Sequence, residues 1–397
     1  MIVKLFLSFV IPFSLGFTLV QAFLPLRKTI FSHLLLKFSL AAGLGVGIAS
    51  CTYFLTLLSL GPRITGVIIY EAVLFIILMG IVVRYSKTSI LPENEIHFDK
   101  TLNDLKLRRV LLTGYYSVLG LAAINLIYMA TLLQHGTWDA WAIWTMHARF
   151  IFRGGEHWTD SFTILMSPNH HPDYPLLLPL TVARGWTYIG KETFAVPMVI
   201  SLLFTFSIVG IIYSALGILK SKSQGILASV VLLSTPVFLF NGARQQADIP
   251  IAFFFLSGMV FLFLQDRFPG KYGLSFLSGV MAGLAGWTKN EGLLFLVSFF
   301  AARIIAVFLS QTRKTHIRQL IYFSLGSMPV LAIILYFKLY LSPPNEIVGG
   351  RTMSEIMVRL GDFSKYGEIL KIFLTGIAFI FPHVILLLFY SLYSKIK

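Results

Sequence analysis

"RVLLTGYYSVLGLAAINLIYMATLL" (residues 109–133) carries one charge, Arg109, at its very start. Two residues later comes "GTWDAWAIWTMHARFIFRGGEHW" (136–158), which gathers Asp139, Arg149, Arg153 and four tryptophans. The first stretch is long enough to cross a hydrocarbon layer of roughly 30 Å as a helix. The second is polar and aromatic, as suits the edge of such a layer. Apolar windows like the first recur at 2–24, 34–60, 64–83, 194–219, 225–241, 249–265, 273–288, 292–310, 319–341 and 369–392. Of 397 residues, 56% are hydrophobic and 12% charged, against roughly 25% charged in ordinary globular domains. Backbone amides cannot go unpaired in lipid, so windows of this kind must be helical. The chain therefore reads as an all-α polytopic integral membrane protein of about eleven transmembrane helices. The window at 2–24 exceeds the roughly 7–15 apolar residues of a signal peptide and reads as a retained span.

The net charge of +15 is a topology signal rather than a nucleic-acid one, because the basic residues sit mostly in short loops. "RKTIFSH", "KSKSQG", "DRFPGKYG", "SQTRKTHIRQ", the long basic stretch ending "DLKLRR" and the terminal "SKIK" all fall on one side if 134–193 is a single loop on the other. That basic side is assigned to the cytoplasm. The opposite side receives 134–193, 241–248, 287–292 and 342–368. Within 174–190, "YPLLLPLTVARGWTYIG" is apolar but interrupted by Pro175, Pro179, Arg184 and Gly185; it reads as a juxtamembrane helix in the interface. Cys51 is the only cysteine and lies in a span, so no disulfide framework is expected.

The external segments hold the chemistry. A helix starting near Asp139 places Trp141, Trp144, Ala148, Ile151 and Phe152 within about 100° of arc, with Asp139, Arg149 and Arg153 opposite. The expectation is an amphipathic surface helix with its tryptophans toward lipid. Asp139 and Arg149 stand about 15 Å apart along such a helix, which leaves the carboxylate without that partner. By itself Asp139 reads as a helix cap and the arginines as headgroup anchors. "SPNHHPDYPLLLPL" (167–180) offers His170, His171, Asp173 and Tyr174 as a polar rim to a cavity; adjacent histidines seldom share one metal ion. "PVFLFNGARQQADIP" (236–250) carries Arg244 and Asp248 in a short loop, with Asp248 also well placed to start a helix. "GVMAGLAGWTKNEGLLFL" (279–296) sets Lys289 and Glu291 between two apolar runs, with Gly279, Gly283 and Gly286 allowing close packing.

Taken together, a first-loop carboxylate, "HPDYPLL", "PVFLFNGARQQAD" and "GLAGWTKNEG" in this order resemble the glycosyltransferase C superfamily. The similarity covers about residues 130–310 and is greatest to the branch holding protein mannosyltransferases, aminoarabinose transferases of lipid A and rhizobial lipopolysaccharide glycosyltransferases. It implies a catalytic membrane core at 109–310 that includes the external loop 134–193. Residues 1–108 form preceding membrane helices without an assigned role, and 311–397 form C-terminal helices with an external loop at 342–368. The resemblance also implies a polyprenyl-phosphate-linked sugar as donor and a cell-envelope glycan, lipid or protein as acceptor. The site would face the periplasm of a bacterial inner membrane. Asp139 matches the family's first-loop acid, taken as the base; Asp248 matches its second-loop acid, and Lys289 its donor-side lysine. "WDAW" stands where many members have paired acids, so the sequence does not indicate a metal, and no cofactor is expected. Sugar transfer with inversion needs one carboxylate as base and cations for the departing phosphate. Lys289 and Arg244 fill the second role, with Arg149 and Arg153 in reserve, while His170, His171, Asp173, Tyr174 and Glu291 line the substrate cavity. The competing class is a lipid or sugar transporter or flippase. It calls for charges inside spans, of which the spans offer little beyond Lys37, Glu71 and Arg303.

Overall fold

The computed structural model describes residues 2–24, 31–85, 105–163, 165, 170–344 and 352–378. Among these the regular structure is helical, with no strand, as an all-α membrane protein requires. The chain divides into two units, Met1–Pro343 and Pro344–Lys397. The first contains α1 (Ile2–Phe23), α2 (Phe31–Leu60), α3 (Ile64–Tyr85), α4 (Leu105–Leu132), α5 (Thr145–Gly154), α6 (Leu177–Ile189), α7 (Ala195–Leu219), α8 (Lys222–Leu233) and α9 (Pro236–Ala243). It continues with α10 (Asp248–Arg267), α11 (Tyr272–Thr288), α12 (Asn290–Leu309) and α13 (Arg313–Tyr336). The second unit contains α14 (Met353–Leu360) and α15 (Phe363–Ala378). There Thr352 and Glu355 cap α14 reciprocally: the Thr352 amide donates to Glu355 Oε2 at 2.9 Å, and the Glu355 amide to Thr352 Oγ1 at 3.4 Å.

By length and composition eight helices can each cross a bilayer, and nine if the bent pair α8–α9 is one crossing. Of the two remaining windows read from the sequence, α11 has 17 residues, about 26 Å of helix, just short of a full crossing. The other, 369–392, begins within α15 and runs beyond the described residues. The window 225–241 is not one straight helix. It bends by 69° between Leu233 and Pro236, because proline has no amide to continue the ladder and forces the residue before it out of the α region. Thr235 is accordingly extended, at φ −89° and ψ 108°. The bend delivers the short α9 to the loop that carries Arg244 and Asp248.

The interior is built on α2 and α11, which are buried along most of their length. A Cβ added at Gly279 would lie 2.0 Å from the Phe323 carbonyl oxygen, and one at Gly326 would lie 2.0 Å from that of Phe276. The α11 and α13 backbones thus touch through reciprocal glycines, the close helix contact that small residues permit in lipid.

One expectation for residues 134–193 is corrected and a second is sharpened. The helix after Asp139 opens with a π-helical turn at Ala140–Trp144 before α5 begins. A wider turn shifts the angular phase, so Trp144, Ala148 and Ile151 end up buried in the protein core while Trp138 and Trp141 stay exposed. Those buried side chains pack on protein, not lipid. Likewise α6, with 13 residues, is too short to span. It is enclosed by protein rather than laid on its surface, since every residue from Leu177 to Ile189 except Thr187 is buried. Arg184 on α6 donates from Nε to Glu71 Oε1 of α3 at 2.5 Å and from Nη1 to the Ser8 carbonyl of α1 at 2.7 Å. Tyr188 also donates to Glu71. This buried cluster ties α6 to the N-terminal helices α1 and α3.

Candidate active site

Three chain segments meet where the membrane helices end: the loop after α4, the loop between α9 and α10, and the break between α11 and α12. Gly136 adopts φ +70°, and a Cβ there would sit 2.4 Å from the Arg244 carbonyl oxygen; glycine lets the first two segments come into backbone contact. The Thr137 amide donates to that carbonyl at 3.3 Å. Arg244 Nε donates to Thr137 Oγ1 at 3.1 Å, and its Nη1 to Asn241 Oδ1 at 3.1 Å. The guanidinium also lies 5.2 Å from the centre of the Phe240 ring. Gln245, itself at φ +60°, donates from Nε2 to the Leu133 carbonyl at 2.8 Å. Gln246 completes the seam. With its amide oriented to satisfy both ends, Nε2 donates to Asp248 Oδ2 at 3.2 Å, and the oxygen accepts from Arg244 Nη2 at 3.2 Å and Thr137 Oγ1 at 2.7 Å.

Asp139 stands two residues beyond Thr137, at the N-cap position of the π turn. Its side chain makes no cap hydrogen bond, so the helix-cap explanation of this residue falls away. Nothing among the described residues engages the carboxylate, which belongs to a half-buried residue two places along the chain from Thr137.

Asp248 is the first residue of α10 and is not a cap either; Ala247 occupies that position. Its Oδ1 accepts from Lys289 Nζ at 3.1 Å, and Lys289 lies 3.4 Å from Glu291. Lys289 sits in extended backbone, at φ −159° and ψ 156°, between α11 and α12. Burial pulls against its charge, but Asp248 and then Glu291 outweigh that and hold the ammonium above the ordinary lysine value. An ammonium has three protons; Asp248 takes one, and the Glu291 carboxylate stands 3.4 Å away as a second counter-charge.

The 170–176 segment closes the site from the other side. Asp173 is buried and accepts from Asn290 Nδ2 at 3.3 Å, one residue from Lys289. Lys338, in the π turn Phe337–Leu341 that follows α13, donates to the Asp173 carbonyl and lies 3.6 Å from its carboxylate. His170 donates from Nδ1 to the Ala142 carbonyl at 2.8 Å, and the His147 Nε2–H donates to the His170 carbonyl at 2.9 Å. Burial pushes His147 down to about 4, so its ring is neutral with a bare Nδ1. His171 at φ +47° stacks on Tyr174 at 4.5 Å, and Tyr174 lies 5.7 Å from the Trp144 ring. His170 is thus held by its Nδ1–H on the Ala142 carbonyl. Among the described residues no group of three His, Cys, Asp or Glu side chains is placed to hold an ion.

The structure therefore assembles Arg244, Asp248, Lys289, Glu291 and Asp173 with the Asp139 loop. It sets Arg149 and Arg153 apart. Arg153 grips Glu192 through Nε at 2.5 Å and Nη2 at 2.9 Å, and Arg149 Nε lies 3.5 Å from the same carboxylate. The Arg153 hydrogen bonds hold the Glu192 carboxyl below its usual range. Sequence reasoning missed Gln246, Lys338, Asn290 and Thr137. Lys338 alone had a readable signal, an ammonium inside the apolar run "ILYFKLYL", where an intramembrane charge calls for a partner.

No curated protein and no solved structure gives a significant match to the chain. Residues 170–337, which include Arg244, Asp248 and Lys289 but neither Asp139 nor Lys338, match the family model of the dolichyl-phosphate-mannose-protein mannosyltransferases, part of the glycosyltransferase C superfamily that the sequence motifs resemble.

Proposed function

We propose that this protein moves a sugar from a polyprenyl-phosphate-linked donor to an envelope acceptor, on the external face of a bacterial inner membrane. The family match and the apolar helices support a membrane glycosyltransferase of the C type; the donor, acceptor class and face are our reading. The observation that carries it is the uncapped Asp139 carboxylate next to a seam that holds Arg244, Asp248 and Lys289.

The chemistry is a single displacement. Asp139 takes the proton of the acceptor hydroxyl as its oxygen bonds to the anomeric carbon, and the bond from that carbon to the phosphate oxygen breaks. One base and one displacement invert the anomeric centre. The phosphodiester leaves as a phosphomonoester with one more negative charge, so no strong general acid is needed. Lys289 and Arg244 offset the new charge through charge-assisted hydrogen bonds. Asp248 and Glu291 hold the ammonium in place, and the Lys338–Asp173–Asn290 chain fixes the segment that carries it. In this reading Asp248 is a positioning residue.

The test is Asp139→Asn in the full-length, membrane-inserted protein, supplied with polyprenyl-phosphate sugars. Transfer is expected to fall about 10²–10⁴-fold, the worth of a general base. Full activity in a folded Asp139→Asn protein would overturn the assignment.

A further inference from the structure

The arginines that the structure separates from Lys289 line a cavity of about 850 Å³. Its wall combines Arg149 and Arg153 of α5, Lys191 and Glu192 of the turn after α6, and the apolar Trp186 and Phe194. Three cations face one carboxylate, a surplus of two positive charges. The wall is fixed: the Trp186 indole donates to the Thr193 carbonyl at 2.9 Å, the Thr193 hydroxyl accepts from the Ala195 amide at 2.9 Å, and Phe194 packs on His135 at 4.4 Å. The remaining lining places the cavity at the membrane edge. Thr131 is at the end of the membrane helix α4, and Ala195 and Met198 are at the start of the membrane helix α7. Gln134, also on the wall, accepts at its carbonyl from Gln245 Nε2 at 3.3 Å, so the cavity adjoins the seam of the candidate active site.

We infer that this cavity holds the phosphate-bearing headgroup of an amphiphile other than the donor, with its chain along the exposed apolar surface of α4, where Leu121, Ile124 and Ile127 stand out from the protein. Resting on the transferase reading, this is the acceptor side of the site. The headgroup is anionic because the surplus charge is positive and because guanidinium forks match phosphate oxygens as they match carboxylates. Glu192 now occupies the Arg153 fork and lies 3.5 Å from Arg149 Nε, and is the internal stand-in for that anion. The ligand is an amphiphile rather than a soluble phosphate because Trp186, Phe194, Ala195 and Met198 line the cavity and two spans border its mouth.

Glu192 makes the inference separable from a structural role. If the arginines bind a headgroup, Glu192 competes with it, so Arg149→Gln with Arg153→Gln must weaken binding while Glu192→Gln must strengthen it. If the ion pairs only brace the loop, both changes act in the same direction. The experiment uses full-length protein in nanodiscs of phosphatidylcholine with a small fraction of phosphatidic acid, retained lipid being counted by native mass spectrometry. Inorganic phosphate and a soluble sugar phosphate are parallel probes. Expected is retention of phosphatidic acid, reduced about tenfold or more in the double arginine variant, as for the loss of one charge-assisted hydrogen bond, and raised in Glu192→Gln. Equal retention in all three proteins, the same direction of change in both variants, or binding of the soluble phosphates alone would overturn it. Polyprenyl phosphate added to the same nanodiscs reads the donor side. Its retention should depend on Lys289 and not on Arg149 or Arg153, so failure of the donor assignment and failure of this one give different patterns.

Discussion

Replacing Lys289 by glutamine separates catalysis from folding by magnitude. At the 3.1 Å separation of Lys289 and Asp248, Coulomb attraction is about 5 kcal/mol at an effective dielectric constant of roughly 20. The two side chains are 21% and 46% exposed, however. Solvent screening and desolvation bring the net contribution to stability down to about 1 kcal/mol. Glutamine is one atom shorter but keeps a hydrogen-bond donor on the side toward Asp248, so the variant should fold. Its transfer step should suffer far more. A fixed donor aimed at developing phosphate charge is worth about 3–4 kcal/mol in the transition state, or 10²–10³-fold in rate. Lys289→Arg, with charge retained and geometry altered, should fall between. The assay is release of polyprenyl phosphate from a polyprenyl-phosphate sugar in proteoliposomes, alongside thermal unfolding. The ammonium is held above the ordinary 10.5, so its contribution to stability is complete below 10.5 and is lost only as the pH rises through the higher folded-state value. The defect should therefore be constant between pH 6 and 9. A well-folded Lys289→Gln protein within about threefold of the parent rate would refute the phosphate role, because the structure offers that ammonium no other catalytic use.

The remaining expectations concern folding, topology and pH. Glu71→Gln removes the charge partner of the buried Arg184 and should cost about 3–5 kcal/mol, read as a lower unfolding midpoint in detergent; an unchanged midpoint would show that the cluster contributes nothing. His147 is held neutral by burial, with its pKa pushed down to about 4. The unfolded chain then binds more protons between pH 6.5 and 4, so stability falls as pH drops through that window by on the order of 3 kcal/mol. His147→Gln should flatten the slope, and a slope that survives the change points to another group. In a Cys51→Ser background, single cysteines at the exposed Trp138 and at Glu291 should both react with an impermeant thiol reagent from the external side. Reaction from opposite sides would break the proposed site apart.

The fold class was legible because hydrocarbon windows admit only one backbone solution in lipid. The span at 225–241 was misread as straight because a window average does not register one proline, whereas the backbone at Thr235 and Pro236 does. The tryptophan face was misread for a related reason: its angular arithmetic assumed an unbroken α-helix, and across the π turn at Ala140–Trp144 the exposed Trp141 parts from the buried Trp144, Ala148 and Ile151 with which it had been grouped. Within the site, Asp248 and Lys289 were legible as charges beside helix ends, and they meet. Arg149 and Arg153 were legible only as cations near the same loop. What they bind depends on Glu192, forty-three and thirty-nine residues further along the chain, and no spacing rule connects residues that far apart. Thr137 and Gln246 carry no charge and no motif; the seam they form exists only once Gly136 lets two loops touch.

The distribution of charge separates the transferase reading from the transporter one. A transport path needs ionisable groups that a substrate can reach at successive depths. Lys37 donates to Gln21 at 2.9 Å, Glu71 is consumed by Arg184 and Tyr188, and Arg303 donates to Gln319 and lies 3.9 Å from Asp266. Each is buried between helices, where a charge without a partner would destabilise the fold and a paired one ties helix to helix. Lys338, inside its span, is likewise committed to Asp173. The half-buried or exposed charges Asp139, Arg244, Asp248, Lys289 and Glu291 instead sit at the ends of α4, α9 and α11, in segments that hydrogen-bond to one another and therefore share one side. Charge inside the membrane is spent on helix-to-helix bonds, and charge available to a substrate is gathered at one surface, the arrangement that surface chemistry on a lipid-linked sugar requires.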